Sequence, residues 1–265
     1  MDRFTGYYRR IQSNGVEQLA KADAETRLQT RTGINRAVGT VQEGILYSHQ
    51  VFEEHTRFWG MVHVEDELTQ PLQSFINEIG ESGLVRMGTG RSRGMGKAHL
   101  HLVQITAGEK DRFDRLKQRV EALDTKLREQ VEAAFGSLNL KPLYFALTLH
   151  SPVISYDELL LYRRVIDEAM LGELLNVPAD TLELEYQHAS VRQMMGWNEL
   201  WGMPRTKEIA IETGSVFLFA TNDVPDDALW RALFDLEETG VGRRRAEGFG
   251  RICVSDPFHL EVTLK

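Results

Sequence analysis

Gly240-Val-Gly-Arg-Arg-Arg-Ala-Glu-Gly-Phe-Gly-Arg251 is the stretch from which the fold can be read, because Gly88-Thr-Gly-Arg-Ser-Arg-Gly-Met-Gly-Lys97 spells nearly the same pattern. Both follow GxGRxR…GxG[K/R], aligned with two residues inserted in the second. Their surroundings also match. Upstream of the first lies Arg57-Phe-Trp-Gly-Met-Val-His-Val64, a strand-like run, then Leu68, Leu72, Phe75, Ile76 and Ile79 at helical spacing. Upstream of the second lies Ser215-Val-Phe-Leu-Phe219, then Pro225 at a helix start and Leu229, Leu233 and Leu236 on one face. Each basic stretch then enters a strand, His99 to Ile105 and Arg251 to Val254. The order strand, helix, glycine-rich basic loop, strand thus occurs twice.

Working outward from the second copy, Leu143 to Leu149 reads as a further strand. Thr181 to Gln187 pairs through a long hairpin with Glu208 to Ala220, and a helical stretch runs around Leu159 to Leu175. β-α-β-β-α-β is the order of a ferredoxin-like fold, an antiparallel sheet with two helices on one face. The expected class is therefore α+β, with two ferredoxin-like (RRM-like) modules in tandem. The first is expected to be incomplete at its N-terminus, since its opening strand and helix would precede residue 1. The expected boundaries are 1–107 for the first module, 108–141 for a linker helix carrying Phe113, Leu116, Val120, Leu123 and Leu127, and 142–265 for the second module.

Composition bounds the rest. With 42% apolar and 26% charged residues over 265 positions, the chain can bury a core. No apolar run approaches the roughly 18–20 residues of a membrane span, and the N-terminus lacks the apolar region of a secretory signal, so the expectation is a cytoplasmic protein with no membrane partner. Net charge is −8, yet Arg86 to Lys97 carries +4 and Gly240 to Arg251 carries +3, leaving −15 elsewhere. Charge focused this way beside glycine can hold phosphates although the global field repels them; a merely solvated face is the alternative. Arg27 to Arg36 is a third acid-free basic stretch.

A nucleotide P-loop does not fit, because Ala98 follows Lys97 where Ser or Thr is required, and the loop leads into a strand rather than a helix. Dinucleotide spacing is missing as well. What remains is a loop whose backbone and guanidinium groups, Arg91, Arg93, Gly94, Gly96 and Lys97 in one copy and Arg243, Arg244, Arg245, Gly248 and Gly250 in the other, can surround the phosphates of an extended polynucleotide. Tight turns with solvated arginines are the alternative.

Paired modules with such loops resemble the RAMP superfamily of CRISPR-associated proteins. Arg31-Thr-Gly-Ile-Asn35-Arg36, followed by Gly39-Thr40 and Gly44-Ile-Leu-Tyr47, is similar to the RTxINR…GTxxxGxLY signature of type III effector subunits. Trp197-Asn198, Trp201-Gly-Met-Pro204, Gly214-Ser-Val216 and the closing GVGRRRAEGFGR resemble the large two-module RAMP subunit of type III-D complexes. The resemblance implies a noncatalytic, guide-RNA-binding scaffold that holds the 5′ handle of CRISPR RNA in antiviral defence. Its implied neighbours are a polymerase-like large subunit and backbone RAMP subunits. Arg31, Asn35 and Arg36 would join the RNA contacts, with Tyr47, Trp197 and Trp201 as stacking platforms. The alternatives are a CRISPR RNA-processing endoribonuclease and a protein–protein scaffold without RNA contact.

Catalysis needs a base and an acid at one phosphate. His99 and His101 share one face of an expected strand, and His150 closes another, but spacing gives none of them a companion. No metal or other cofactor is expected, and the lone Cys253 reads as a buried strand residue.

Overall fold

The structure is a computed structural model that describes residues 7–13, 16–22, 24–35, 37–60, 62, 64–80, 82–103, 108–136, 139–198 and 200–261. The elements in chain order are β1 (Tyr7–Ser13), β2 (Val16–Ala22), β3 (Thr26–Asn35), β4 (Thr40–Phe52), α1 (Asp66–Gly80), α2 (Glu109–Phe135), β5 (Leu143–Leu149), α3 (Glu168–Leu175), β6 (Leu182–His188), β7 (Val191–Met194), β8 (Trp197–Asn198), β9 (Met203–Pro204), β10 (Glu208–Ile211), β11 (Val216–Thr221), α4 (Asp227–Thr239), β12 (Ile252–Val254) and α5 (Phe258–Glu261). They fall into two units, Met1–Ala22 with Gly108–Lys265, and Asp23–Ala107.

In the first unit, all seven residues of β5 are buried, which is how a central strand covered on both faces reads. β5 pairs antiparallel with β11 on one side and β12 on the other, and β11 pairs with β6. The resulting order, β12-β5-β11-β6, with α3 between β5 and β6 and α4 between β11 and β12, is the ferredoxin-like arrangement. Phe145 and Phe219 stack across the sheet at 5.8 Å, and Leu147, Leu171, Phe217 and Leu233 are fully buried with them.

Local chemistry fixes the helix ends. Asp226 caps α4 by accepting from the Leu229 N–H at 2.8 Å, and Asp167 caps α3 through Met170 at 2.8 Å. The expected helical stretch around Leu159 to Leu175 is shorter than anticipated, because α3 starts only at Glu168. Asp157 turns the chain instead: its Oδ1 accepts from the Leu159 and Leu161 N–H groups at 2.9 and 2.8 Å, and Tyr156 bridges to Tyr162.

Helix α2 buries Leu116, Val120 and Leu123 in this unit. Asp124 Oδ1 accepts from the Tyr144 N–H at 3.0 Å, and Arg119 pairs with Glu237 of α4 at 2.7 Å. The long hairpin expected from sequence is present, with β6 on β11, β7 on β10, and β8 against β9 at its tip.

In the second unit, β3 and β4 pair antiparallel, with a register shift between Thr32 and Ile34. α1 follows. The expected strands over 57–64 and 99–105 are not formed by their described residues, and the ladder beside the basic loop reduces to one bridge, Arg86 to Lys97. The physical reason is missing partners: no described strand lies beside either stretch to take up its backbone groups. Among this unit's described residues only Gly80 is buried, and Trp59, Leu68 and Phe75 are exposed.

Candidate nucleic-acid interface

The loop after α4 is built on the backbone of residues 152–154. Gly250 donates its N–H to Pro152 O at 2.9 Å, Arg243 donates to Ile154 O at 2.8 Å, and Val241 donates to Gly250 O at 2.8 Å, closing the loop on itself. A Cβ on Gly250 would collide with Val241 O, so only glycine permits this closure. Between these anchors a 3-10 turn, Arg245–Glu247, is flanked by Arg244 at φ 59° and Gly248 at φ 89°, both left-handed.

The loop after α1 has the same backbone. Its 3-10 turn, Arg91–Arg93, is flanked by Gly90 at φ 72° and Gly94 at φ 79°, the Met87 N–H donates to Gly96 O at 2.8 Å, and a Cβ on Gly96 would collide with Met87 O. The equivalence runs without a gap: Gly88 matches Gly242, Gly90 matches Arg244, Arg91 matches Arg245, Arg93 matches Glu247, Gly94 matches Gly248, Gly96 matches Gly250 and Lys97 matches Arg251. This corrects the alignment read from sequence, which placed two inserted residues inside the second loop. The length difference lies before the loops instead: residues 81–86 separate α1 from Met87, whereas residue 240 alone separates α4 from Val241.

The arginines divide by what they touch. Arg243 and Arg245 are exposed, with the Arg243 guanidinium 5.2 Å from the centroid of the Tyr156 ring and Arg245 Nη1 donating to Thr239 O at 3.3 Å. Arg244 is committed internally. It pairs with Glu208 at 2.6 Å and Glu247 at 2.7 Å, and its guanidinium lies 4.6 Å from the Phe249 centroid. Hydrogen bonding to Glu247, then to Glu208, raises its already high pKa, while Arg244 first and Arg205 second hold the Glu247 carboxyl below the usual glutamate range. In the first loop, Arg91, Arg93 and Lys97 are exposed, and Arg86 donates to Gly83 O at 3.0 Å.

The remaining candidates are more dispersed. Arg31 and Tyr47 are cross-strand partners on β3 and β4; Arg31 donates to Gln29 Oε1 at 3.4 Å, and the Tyr47 ring meets His49 edge-on at 5.2 Å. Asn35 lies on β3 opposite Thr40, and Arg36 lies outside the described residues. Trp197 and Trp201 sit at the tip of the long hairpin, 58% and 73% exposed, where Asn198 Oδ1 accepts from the Leu200 and Trp201 N–H groups at 3.1 Å each. Both rings are available for stacking.

Sequence spacing missed one grouping. His150 Nε2 lies 2.6 Å from Asp256 Oδ2, so one histidine does have a companion, and Cys253 lies beside both. His150 precedes Cys253 by 103 residues and Asp256 by 106, a separation that conceals such a cluster. His99 and His101 are exposed and lie outside any described strand.

No family model matches the chain, and no curated protein matches it. Among solved structures it is similar to a partial Cas6-RT-Cas1–Cas2 complex, at 13% identity and a TM-score of 0.38, covering 86% of this chain and 38% of that one. It is also similar to a Cas6 product complex, at 12% identity and a TM-score of 0.35, covering 87% of this chain and 84% of that one. A fuller Cas6-RT-Cas1–Cas2 complex gives 13% identity and a TM-score of 0.38, covering 86% and 24%. Thus the chain spans about two fifths of the first of these structures. No helix among the described residues is long and apolar enough to cross a membrane.

Proposed function

We propose that this protein is a noncatalytic guide-RNA-binding subunit of a type III CRISPR effector ribonucleoprotein that holds the 5′ handle of CRISPR RNA, each glycine-rich loop being by itself a phosphate-binding element. The observation that carries this reading is the repeated loop backbone with arginine at the same exposed place, Arg91 and Arg245 at the start of each 3-10 turn. Turn geometry accounts for the glycines. Two matched exposed arginines suit a polyphosphate ligand, because guanidinium groups make charge-assisted bonds to phosphate oxygens.

In this reading residues 1–107 belong to a first RAMP module and 142–265 form the second, joined through 108–141. In the second module, β5 carries its neighbours on both edges. The described residues of 57–64 and 99–103 have strand composition and form no ladder. The polymerase-like large subunit and the backbone RAMP subunits are the partners that would cover apolar side chains such as Trp59 and Phe75.

The test is equilibrium binding of repeat-derived single-stranded RNA across a salt series. Replacing Arg91 and Arg93 together, or Arg243 and Arg245 together, should weaken binding and flatten the salt dependence by about 0.7 log unit per lost phosphate contact. Unchanged slopes in both variants would assign the loops to protein contacts. The same RNA should remain intact; specific cleavage that disappears in His150→Ala would establish a processing nuclease instead.

A further inference from the structure

The geometry points to a zinc-type metal site formed by His150, Cys253 and Asp256 at the end of the central sheet, independent of RNA binding. These three residues each offer one ligand atom, a ring nitrogen, a thiol sulfur and a carboxylate oxygen, and the three atoms lie within 4.8 Å of one another. Around a tetrahedral zinc ion, with bonds of about 2.0 Å to nitrogen and oxygen and about 2.3 Å to sulfur, ligand atoms sit roughly 3.3–3.7 Å apart. The trio is therefore close to that spacing. The 2.6 Å hydrogen bond between His150 Nε2 and Asp256 Oδ2 must open by about 0.7 Å or slightly more, and the separations to the sulfur, which reach up to 4.8 Å, must close to about 3.7 Å or less, to admit the ion.

The fold holds the three side chains from different directions. Cys253 pairs with Thr148 in the β12–β5 ladder, and His150, two residues beyond Thr148, points to the same side. Its backbone is fixed by donating to Arg251 O at 2.8 Å. Ser255 then adopts φ 48°, an uncommon conformation for a residue with a side chain, and turns the chain so that Asp256 comes back against Cys253. That turn is pinned at both ends. The Ser255 N–H donates to Ala146 O at 2.7 Å, and Asp256 Oδ1 accepts from the Phe258 N–H at 2.9 Å, leaving Oδ2 to face His150.

Charge and access agree with a divalent ion. A thiolate and a carboxylate supply two negative charges, and the nearby Glu237 is already neutralised by Arg119 at 2.7 Å. Cys253 and Asp256 are largely enclosed, while the His150 side chain is 49% exposed, so solvent can provide the fourth ligand on that side. A nitrogen, sulfur and oxygen donor set suits zinc rather than magnesium or calcium. On binding, the thiol proton leaves to solvent and the sulfur–metal bond takes its place. The ion would fasten the chain after β12 to the end of β5, where the His150 N–H donates to the carbonyl of Arg251 in the second glycine-rich loop.

The test titrates the purified full chain with Co²⁺ and then displaces it with Zn²⁺. Cys253 is the only cysteine, so thiolate-to-cobalt absorption reports this site alone. One equivalent should generate the band, Zn²⁺ should abolish it, Cys253→Ser should lack it, and His150→Ala, a change at a half-exposed position, should weaken binding by about tenfold or more. A wild-type chain that gives no band overturns the site. So does an unchanged affinity in both His150→Ala and Asp256→Asn, which would leave only a thiol binding cobalt.

Discussion

Arg244 grips Glu247 with two parallel bonds, Nε to Oε1 at 3.0 Å and Nη2 to Oε2 at 2.7 Å, across a single 3-10 turn. In the loop after α1 the equivalent positions are Gly90 and Arg93, so the same backbone is obtained there without the pair. Glycine reaches the left-handed conformation at no steric cost. Arg244, at φ 59°, is held there by its bonds to Glu247 and to Glu208 on β10.

Arg244 is therefore expected to shape the second loop rather than to contact RNA. Arg244→Gly should keep the backbone and lose the ties, whereas Arg244→Ala loses both the ties and the glycine conformer. RNA affinity should fall more in Arg244→Ala than in Arg244→Gly, with the salt slope unchanged in both. Arg245→Ala should instead reduce the slope by about 0.7. A reduced slope in Arg244→Gly would show that this guanidinium meets phosphate after all.

The glycines separate by what surrounds them. At Gly250 a Cβ would strike the backbone oxygen of Val241, which is itself buried and cannot yield; at Gly248, φ 89°, a Cβ would meet nothing within 4 Å. Gly248→Ala should thus cost only the left-handed penalty, about 1–2 kcal/mol. Gly250→Ala should cost more, because the Val241 to Gly250 closure must also break, adding about 1 kcal/mol for the hydrogen bond alone. Urea unfolding of the two variants measures both. Equal midpoints would mean that the loop opens without resistance.

The sheet was legible because burial writes itself into sequence. β5, Leu-Tyr-Phe-Ala-Leu-Thr-Leu, and β11, Val-Phe-Leu-Phe-Ala-Thr, are apolar runs bounded by turn residues, and Pro225 stands just ahead of α4, whose Leu229, Leu233 and Leu236 share one face. What escaped depends on contacts distant in sequence. A residue with a side chain at a left-handed position looks like ordinary sequence, so the alignment favoured matching Gly-x-Gly letters over matching conformations at Gly90 and Arg244. Leu159 to Leu161 continued a helical pattern that the Asp157 side chain interrupts. The described residues of 57–64 and 99–105 have strand composition, but composition supplies no neighbour. His150, Cys253 and Asp256 meet only because β12 returns beside β5, which no local spacing records.

The pH response of the second loop follows from Glu247. Its carboxyl is held below the usual glutamate range, first by the Arg244 hydrogen bond and then by the charges of Arg244 and Arg205, which together outweigh the opposing loss of hydration. A folded pKa below the unfolded one means that this carboxylate supports the loop fully above the ordinary glutamate pKa, and that the support is lost as pH falls through the lower, folded value. Carbon NMR of the Glu247 carboxyl should therefore show a midpoint below that of the other exposed glutamates. In Arg244→Ala the midpoint should rise, though not fully, because Arg205 remains at 2.9 Å. In Arg205→Ala it should rise less, since Arg205 contributes the smaller part. If Arg205→Ala moves the midpoint further than Arg244→Ala, the tie from the long hairpin, rather than the grip within the turn, is what sets the loop.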